Sequence, residues 1–339
     1  MRAKRVTIKD VAREAGVSVT TTSEALNGKG RVAALTRDHV FEVASRLGYS
    51  ASRTARNLNA GRTGTLVLAV SSMSADSSNE LQAEWDIEYF FRVLSGASAR
   101  AFSRGYLLSI LPFHKSSHEF LSSTDGLLLV DPTEDDVLLD AAIQIGTSCV
   151  TIGRNSREVS WVDNDFFAGT TGALQHLAAT DKSRPALFLR ETRSSYVRDE
   201  LSAYLEWCSK EDIEPTIIRS IGSGVEEAEP AIRAALVSSG LKFDAVVTTL
   251  DTLALATERS ARLLDIKIPD QLQVLSLTES RYLSTGLAST ITALDLHPVS
   301  LGEMAADILV DEIEGDTERK RVLVPTSLRS RESTRAPSA

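Results

Sequence analysis

At 339 residues, 42% hydrophobic and 24% charged, the chain has the make-up of a globular protein of two or three units, which excludes a low-complexity or fibrous polymer. No apolar run nears the ~20 residues that span a bilayer, residues 1–5 lead into no apolar signal core, and Cys149 and Cys208 are too few for a disulfide framework, so a cytoplasmic chain without membrane association is expected. The net charge of −9 is uneven: 12 basic and 5 acidic residues precede position 65, against 25 and 41 after it, as for a basic module facing a polyanion joined to an acidic one.

The first periodic segment sets Ile8, Val11, Ala12 and Ala15 on one face of a short helix, which Gly16 ends. Ser18 stands where an N-cap belongs, so a second helix is expected over 19–26, stopping at Asn27-Gly28. A third starts near Thr36 and carries Val40, Val43, Ala44 and Leu47 on one face up to Gly48. Three short helices with a tight glycine turn between the first two form a helix-turn-helix unit, whose second helix enters the major groove by its N-terminal end. The outward residues of that helix, Val19, Thr20, Thr21 and Ser23, are small or polar and allow close approach to phosphates and base edges. Residues 50–64 then read as a linker, with Ala55 and Leu58 as the only i, i+3 apolar pair, between Arg53 and Arg56. A helix that short is marginal alone, so it is expected to form on docking.

From Thr65 the pattern changes. Short apolar runs at 66–70, 106–111, 126–130, 149–152, 186–189, 245–248 and 274–277 alternate with amphipathic segments such as 88–103, 167–179, 196–210, 226–238 and 253–264. That alternation implies parallel sheets with helices on both faces, and the length of the region implies two stacked lobes.

The run Val6-Thr7-Ile8-Lys9-Asp10-Val11-Ala12-Arg13-Glu14-Ala15-Gly16-Val17-Ser18 resembles the opening of the LacI (lactose repressor-like) family of bacterial regulators, as do Ser23-Glu24-Ala25-Leu26-Asn27-Gly28, Thr36-Arg37 and Leu47-Gly48-Tyr49. In the core, Val162-Asp163-Asn164-Asp165, Asp251-Thr252-Leu253-Ala254-Leu255, Ile268-Pro269-Asp270 and Arg331-Glu332-Ser333-Thr334 are also similar to that family. The resemblance implies an all-α helix-turn-helix headpiece (1–49), a hinge helix and linker (50–64), and an α/β periplasmic-binding-protein-like core of two Rossmann-like lobes (65–339). It implies that Val19, Thr20 and Glu24 read bases, and that Thr7, Ser18, Thr21, Ser23, Asn27 and Thr36 hold phosphates. It implies, too, that the hinge meets the minor groove through Ser52, Ala55 and Leu58, the leucine acting as a wedge. Two residues depart from the pattern: Thr22 replaces an apolar residue, and Glu24 stands where arginine is frequent, which favours cytosine N4 and repels phosphate.

Ligands in open α/β sheets sit at the carboxyl ends of strands. Candidate effector contacts there are Asp131, Asp165, Arg198, Asp251 and Thr278, with Arg154 and Tyr89. Leu250, Thr278 and Glu200 replace an asparagine, an aspartate and an arginine that grip sugar hydroxyls in relatives, so the sequence names no effector among sugars, nucleosides and other metabolites. No metal, cofactor or catalytic set is expected: His114 and His118 lack a third ligand, and Gly222-Ser223-Gly224 lacks a third glycine. The expected function is a homodimeric regulator, a repressor of genes behind a palindromic double-stranded operator, gated by a small molecule between the lobes. The alternative keeps the DNA function and makes the core a platform for a partner protein.

Overall fold

The computed structural model describes residues 6–27, 30–49, 61–71, 87–111, 118–180, 184–190, 192–220, 224–238, 240, 242–285, 287 and 289–335. Two compact units divide the chain, Met1–Gly64 and Thr65–Ala339.

In the first unit, α1 (Ile8–Glu14), α2 (Val19–Asn27) and α3 (Ala34–Arg46) close around Val11, Ala15, Ala25, Val40, Val43 and Ala44. The third helix begins two residues before the expected Thr36, with Ala33 at its N-cap, which places Thr36 inside the first turn. Gly16 takes φ +65° and an added Cβ would meet nothing within 4 Å, so the left-handed backbone and not lack of space demands glycine. The turn is completed by Val17 N–H donating to the Ala12 carbonyl at 3.1 Å. Thr22, the polar residue at an apolar position, is fully buried, and its hydroxyl donates to the Ser18 carbonyl at 2.9 Å. Back-bonding to the helix therefore satisfies the donor that the substitution introduced.

The second unit begins with β1 (Thr65–Val70), α4 (Ile87–Ser103), β2 (Leu107–Ile110), the one-turn α5 (His118–Leu121), β3 (Gly126–Val130), α6 (Val137–Ile145), β4 (Ser148–Ile152) and β5 (Ser160–Asn164). The chain crosses to a second lobe for α7 (Phe166–Ala178), β6 (Pro185–Arg190), α8 (Ser195–Lys210), β7 (Thr216–Ser220), α9 (Val225–Ser238), β8 (Ala245–Thr248), α10 (Asp251–Leu263), β9 (Gln273–Ser276) and β10 (Thr292–Asp295). It returns with α11 (Pro298–Glu314) and β11 (Arg321–Val324), then ends in the second lobe with β12 (Ser327–Arg329).

The strand orders are β11-β5-β4-β3-β1-β2 and β12-β10-β9-β8-β6-β7, and each pairing is parallel except β12 on β10. Alternate residues of a strand feed separate cores. In β1, Leu66, Leu68 and Val70 face one layer while Val67 and Ala69 face the other. In β6, Ala186 and Phe188 part from Leu187 and Leu189 in the same way. Burial on both faces is why these strands read as unbroken apolar runs. The five strands outside the seven runs are β5 and β10, which end in polar residues at the lobe crossings, β7 and β11 at sheet edges, and the three-residue β12. Helices α4 and α11 cross at close range: a Cβ on Gly302 would fall 2.1 Å from the Val93 carbonyl oxygen, and one on Gly96 2.0 Å from that of Val299.

The three crossings are tied together by one side chain. Asn164, at the end of β5 and buried, donates through Nδ2 to the carbonyls of Leu296 at 3.1 Å and Val324 at 3.2 Å. Those two residues follow β10 and end β11, so a single amide staples all three inter-lobe segments.

Candidate DNA-reading surface and inter-lobe cleft

The N-terminal tip of α2 is built by its cap. Ser18 Oγ accepts the Thr21 N–H at 3.0 Å and shares a hydrogen bond with Thr21 Oγ1 at 2.8 Å. Capping fixes the entry angle of the helix and leaves Val19 (42% exposed) and Thr20 outward at the tip. Thr21 and Ser23 are half-buried along the same helix. Thr7, expected at a phosphate, gives its hydroxyl proton to Asp10 at 2.7 Å, and its N–H also donates to Asp10 at 3.0 Å. Those bonds and the nearby Arg13 guanidinium hold the Asp10 carboxyl below the usual carboxylate range, the Thr7 hydroxyl bond being the largest cause. Glu24 does not reach straight out: its carboxyl folds against Gly30, whose added Cβ would lie 2.6 Å from Glu24 Cδ. The side chain of Asn27 and the hinge residues Ser52, Ala55 and Leu58 lie outside the described residues.

In the core, the carboxyl ends of the strands converge on a narrow cavity of about 60 Å³. Asp131 follows β3 with φ +50°, a left-handed conformation that aspartate tolerates better than most residues. Leu250, Thr278 and Leu296 follow β8, β9 and β10, while Arg190, Thr192 and Ser194 line the end of β6. Two aromatic pairs close the cavity: Tyr89 and Phe90 from α4, edge to face at 5.5 Å, and Phe166 and Tyr196 from the starts of α7 and α8, at 5.7 Å. Burial, and then the carboxylates of Asp131 and Asp163, push the Tyr89 phenol well above its ordinary range, so it remains a proton donor. The Thr278 hydroxyl is already committed to the Thr249 carbonyl at 3.0 Å.

Of the seven effector candidates, this cavity brings together Tyr89, Asp131 and Thr278. The other four sit elsewhere. Asp165 caps α7, accepting the Ala168 N–H at 2.9 Å, and borders a separate hollow beside Thr326. Asp251 is buried at the start of α10, where its carboxylate accepts the Thr252 N–H at 2.8 Å. Arg198 reaches Glu134 at 3.2 Å, and Arg154 pairs with Asp163 at 3.2 Å and with Asp199, both on a different side of the lobe junction. Asp163 is buried, and desolvation raises its carboxyl despite Arg154. Sequence reasoning missed Phe90, Phe166, Arg190, Thr192, Ser194 and Tyr196. The signal was there in part, since the strand-end rule that named Asp131 applies equally to the residues after β6.

Residues 7–52 match the model of bacterial regulatory proteins of the lacI family, and residues 174–334 that of the periplasmic binding protein-like domain. The chain carries a LacI-family DNA-binding domain and a periplasmic-binding-protein-like domain. At LacI-family level its relatives are transcriptional regulators. The HTH-type transcriptional regulator CelR of Thermobifida fusca is 28% identical, across 98% of this chain and 99% of its own. MalR of Staphylococcus xylosus is 25% identical, across 97% and 98%. Among solved structures, a complex of the regulator CelR with cellobiose is 26% identical at a TM-score of 0.70, covering 97% of this chain and 100% of that one. A lac repressor dimer bound to operator and the anti-inducer ONPF shares the fold at a TM-score of 0.76 and 20% identity, covering 98% and 100%. No helix among the described residues is long and apolar enough to cross a membrane.

Proposed function

We propose that the chain is a cytoplasmic transcription repressor that binds a palindromic operator as a homodimer and is gated by a small molecule in the inter-lobe cleft. The observation that carries this is the capped second helix of the headpiece, with Val19 and Thr20 exposed at its tip, inside a LacI-family domain of basic balance. The cleft supports a small molecule over a protein partner. It is a concave site walled by four aromatic rings with a few converging polar groups, and a relative of like length is solved with cellobiose. Rings with one apolar face and a rim of hydroxyls suit such walls, so a saccharide is the favoured class. A cavity of about 60 Å³ has room for a handful of waters only, so a saccharide enters by parting the lobes. Its leverage on the lobe angle is then its preference for the wider arrangement.

The homodimer reading rests on the first lobe, where edge strand β2 exposes Leu107 and Ile110 and α4 exposes Phe91, each between 57% and 61%. An apolar sheet edge invites pairing unless it is covered, and a second copy covers it symmetrically. Sedimentation should show the dimer, and Leu107→Lys with Ile110→Lys should shift it to monomer.

Selection of the full chain against a random duplex pool tests the DNA function. A two-fold symmetric site should be enriched, and Thr20→Ala should weaken its binding. No enriched sequence at low salt, with or without saccharides, would sink the reading.

A further inference from the structure

Beside the cleft, the two lobes line a second, open-sided cavity of about 420 Å³ along their seam. Arg154, Arg157 and Arg321 enter from the first lobe and Arg193 and Arg198 from the second, whereas the walls contribute two carboxylates, Glu134 and Glu158. Five guanidinium groups converge here in a core region that holds 25 basic and 41 acidic residues. Each is paired with an acid, which for Arg198 and Arg321 is a carboxylate of the cavity wall itself. Arg157 is bidentate on Asp140 at 2.7 and 2.9 Å, Arg321 meets Glu158 at 3.3 Å, and Arg154 is held by Asp163 and Asp199. Among the described residues Arg193 gives Nη1 to Asp135, at 3.0 Å, and Arg198 gives Nη1 to Glu134, at 3.2 Å, and their remaining guanidinium donors are held by no described side chain.

We propose that this seam cavity is a second ligand site, separate from the cleft, for a small molecule carrying a phosphate monoester or a like dianion. The planar guanidinium fork matches phosphate oxygens two at a time, and such bonds are among the strong ones. The pairs that must yield are weak: Arg193 and Asp135 are 71% and 76% exposed, Arg198 and Glu134 58% and 56%. Exposed pairs of this kind hold their partners loosely, so a dianion displaces Glu134 and Asp135 and takes over both arginines. The pairs that yield run across the seam, from Arg193 and Arg198 of one lobe to Asp135 and Glu134 of the other, so the bound dianion exchanges two inter-lobe ion pairs for its own contacts. It thereby biases the angle between the lobes. Neither Arg193 nor Arg198 lines the cleft, so the two sites recognise their ligands through different side chains.

Titration calorimetry of the full chain at low ionic strength tests the site, with inorganic phosphate, a hexose 6-phosphate and the free hexose as probes. Both phosphate-bearing probes should bind saturably. Arg193→Ala with Arg198→Ala should weaken the hexose 6-phosphate at least tenfold, while leaving any binding of the free hexose unchanged. Glu134→Gln should tighten it, because the competitor for Arg198 is gone, and this second variant decides the matter if the double variant misfolds. Absence of saturable phosphate binding into the millimolar range overturns the proposal. So does binding that the arginine variants leave untouched, which would place the anion elsewhere, as on the basic headpiece, and so does a Glu134→Gln variant that binds no tighter.

Discussion

The cleft and the seam are built from the same two stretches of chain and differ in almost everything else. After β3, Asp131 faces the cleft while Pro132 and Glu134 face the seam. At the start of α8, Ser194 and Tyr196 face the cleft while Arg193, Ser195 and Arg198 face the seam. One cavity is narrow and aromatic, the other roomy and guanidinium-lined. A change of lobe angle moves both walls of both cavities at once, so what fills one alters the shape of the other. Chemistry is set by which side of the turn a residue occupies, and coupling by the turn they share.

The largest expected effect comes from the tie behind both cavities. Asn164→Ala removes two buried hydrogen bonds and takes from the Leu296 carbonyl its side-chain donor, while the Val324 carbonyl keeps the Asp165 N–H at 3.1 Å, which should cost about 3 kcal/mol of stability. Urea unfolding should show it, together with weaker binding at the cleft and the seam alike. A loss under about 0.5 kcal/mol would mean that the two cavities do not share this frame.

Next comes Glu200, on the buried face of α8, fully buried with neither carboxylate oxygen hydrogen-bonded among the described residues. Desolvation raises its pKa well above the ordinary 4.5, which favours the protonated carboxyl in the folded protein. The folded pKa lies above the unfolded one. The group's contribution is therefore intact below about pH 4.5 and is lost progressively as pH rises toward the folded value. Glu200→Gln should thus stabilise the protein by about 1–2 kcal/mol at pH 7, with the gain shrinking toward pH 4.5. A gain independent of pH would refute the protonated state.

The cleft can then be separated from the seam. Tyr196→Ala removes one aromatic wall and should lower the affinity of a saccharide found by thermal shift about tenfold, or ~1.4 kcal/mol, without changing phosphate binding. Equal losses at both sites would show that the chemistry of the two is not divided as described. The smallest effect concerns stability alone. Arg193→Ala breaks an exposed pair, and its unfolding free energy should stay within about 0.5 kcal/mol of the parent.

The headpiece was legible because its information is local. Gly16, Ser18 and the Val40, Val43, Ala44 stripe each act within a turn or two of chain, and helix starts and stops follow from backbone groups that neighbours satisfy. The one misplaced boundary, α3 starting at Ala34, falls where Ala33 supplies no side-chain cap for sequence to reveal. In the core, both-face burial made the central strands plain, whereas β5 and β10 hid because their last residues serve the crossings. The effector candidates divided for a like reason. Asp131 and Asp165 look alike as acids at strand ends, but one turns into the cleft and the other caps α7.

Sequence by itself determined the order of the modules, the alternation of strand and helix, and the tip of the reading helix, since periodicity, capping and glycine punctuation are properties of short segments. Only the tertiary structure decided which side chains share a cavity. That choice depends on how residues more than a hundred positions apart, such as Tyr89 and Thr278 or Asp131 and Thr278, are brought together by two sheets whose crossings are fixed by Asn164. Distance in space is set by packing of the whole lobe, and no local pattern carries it.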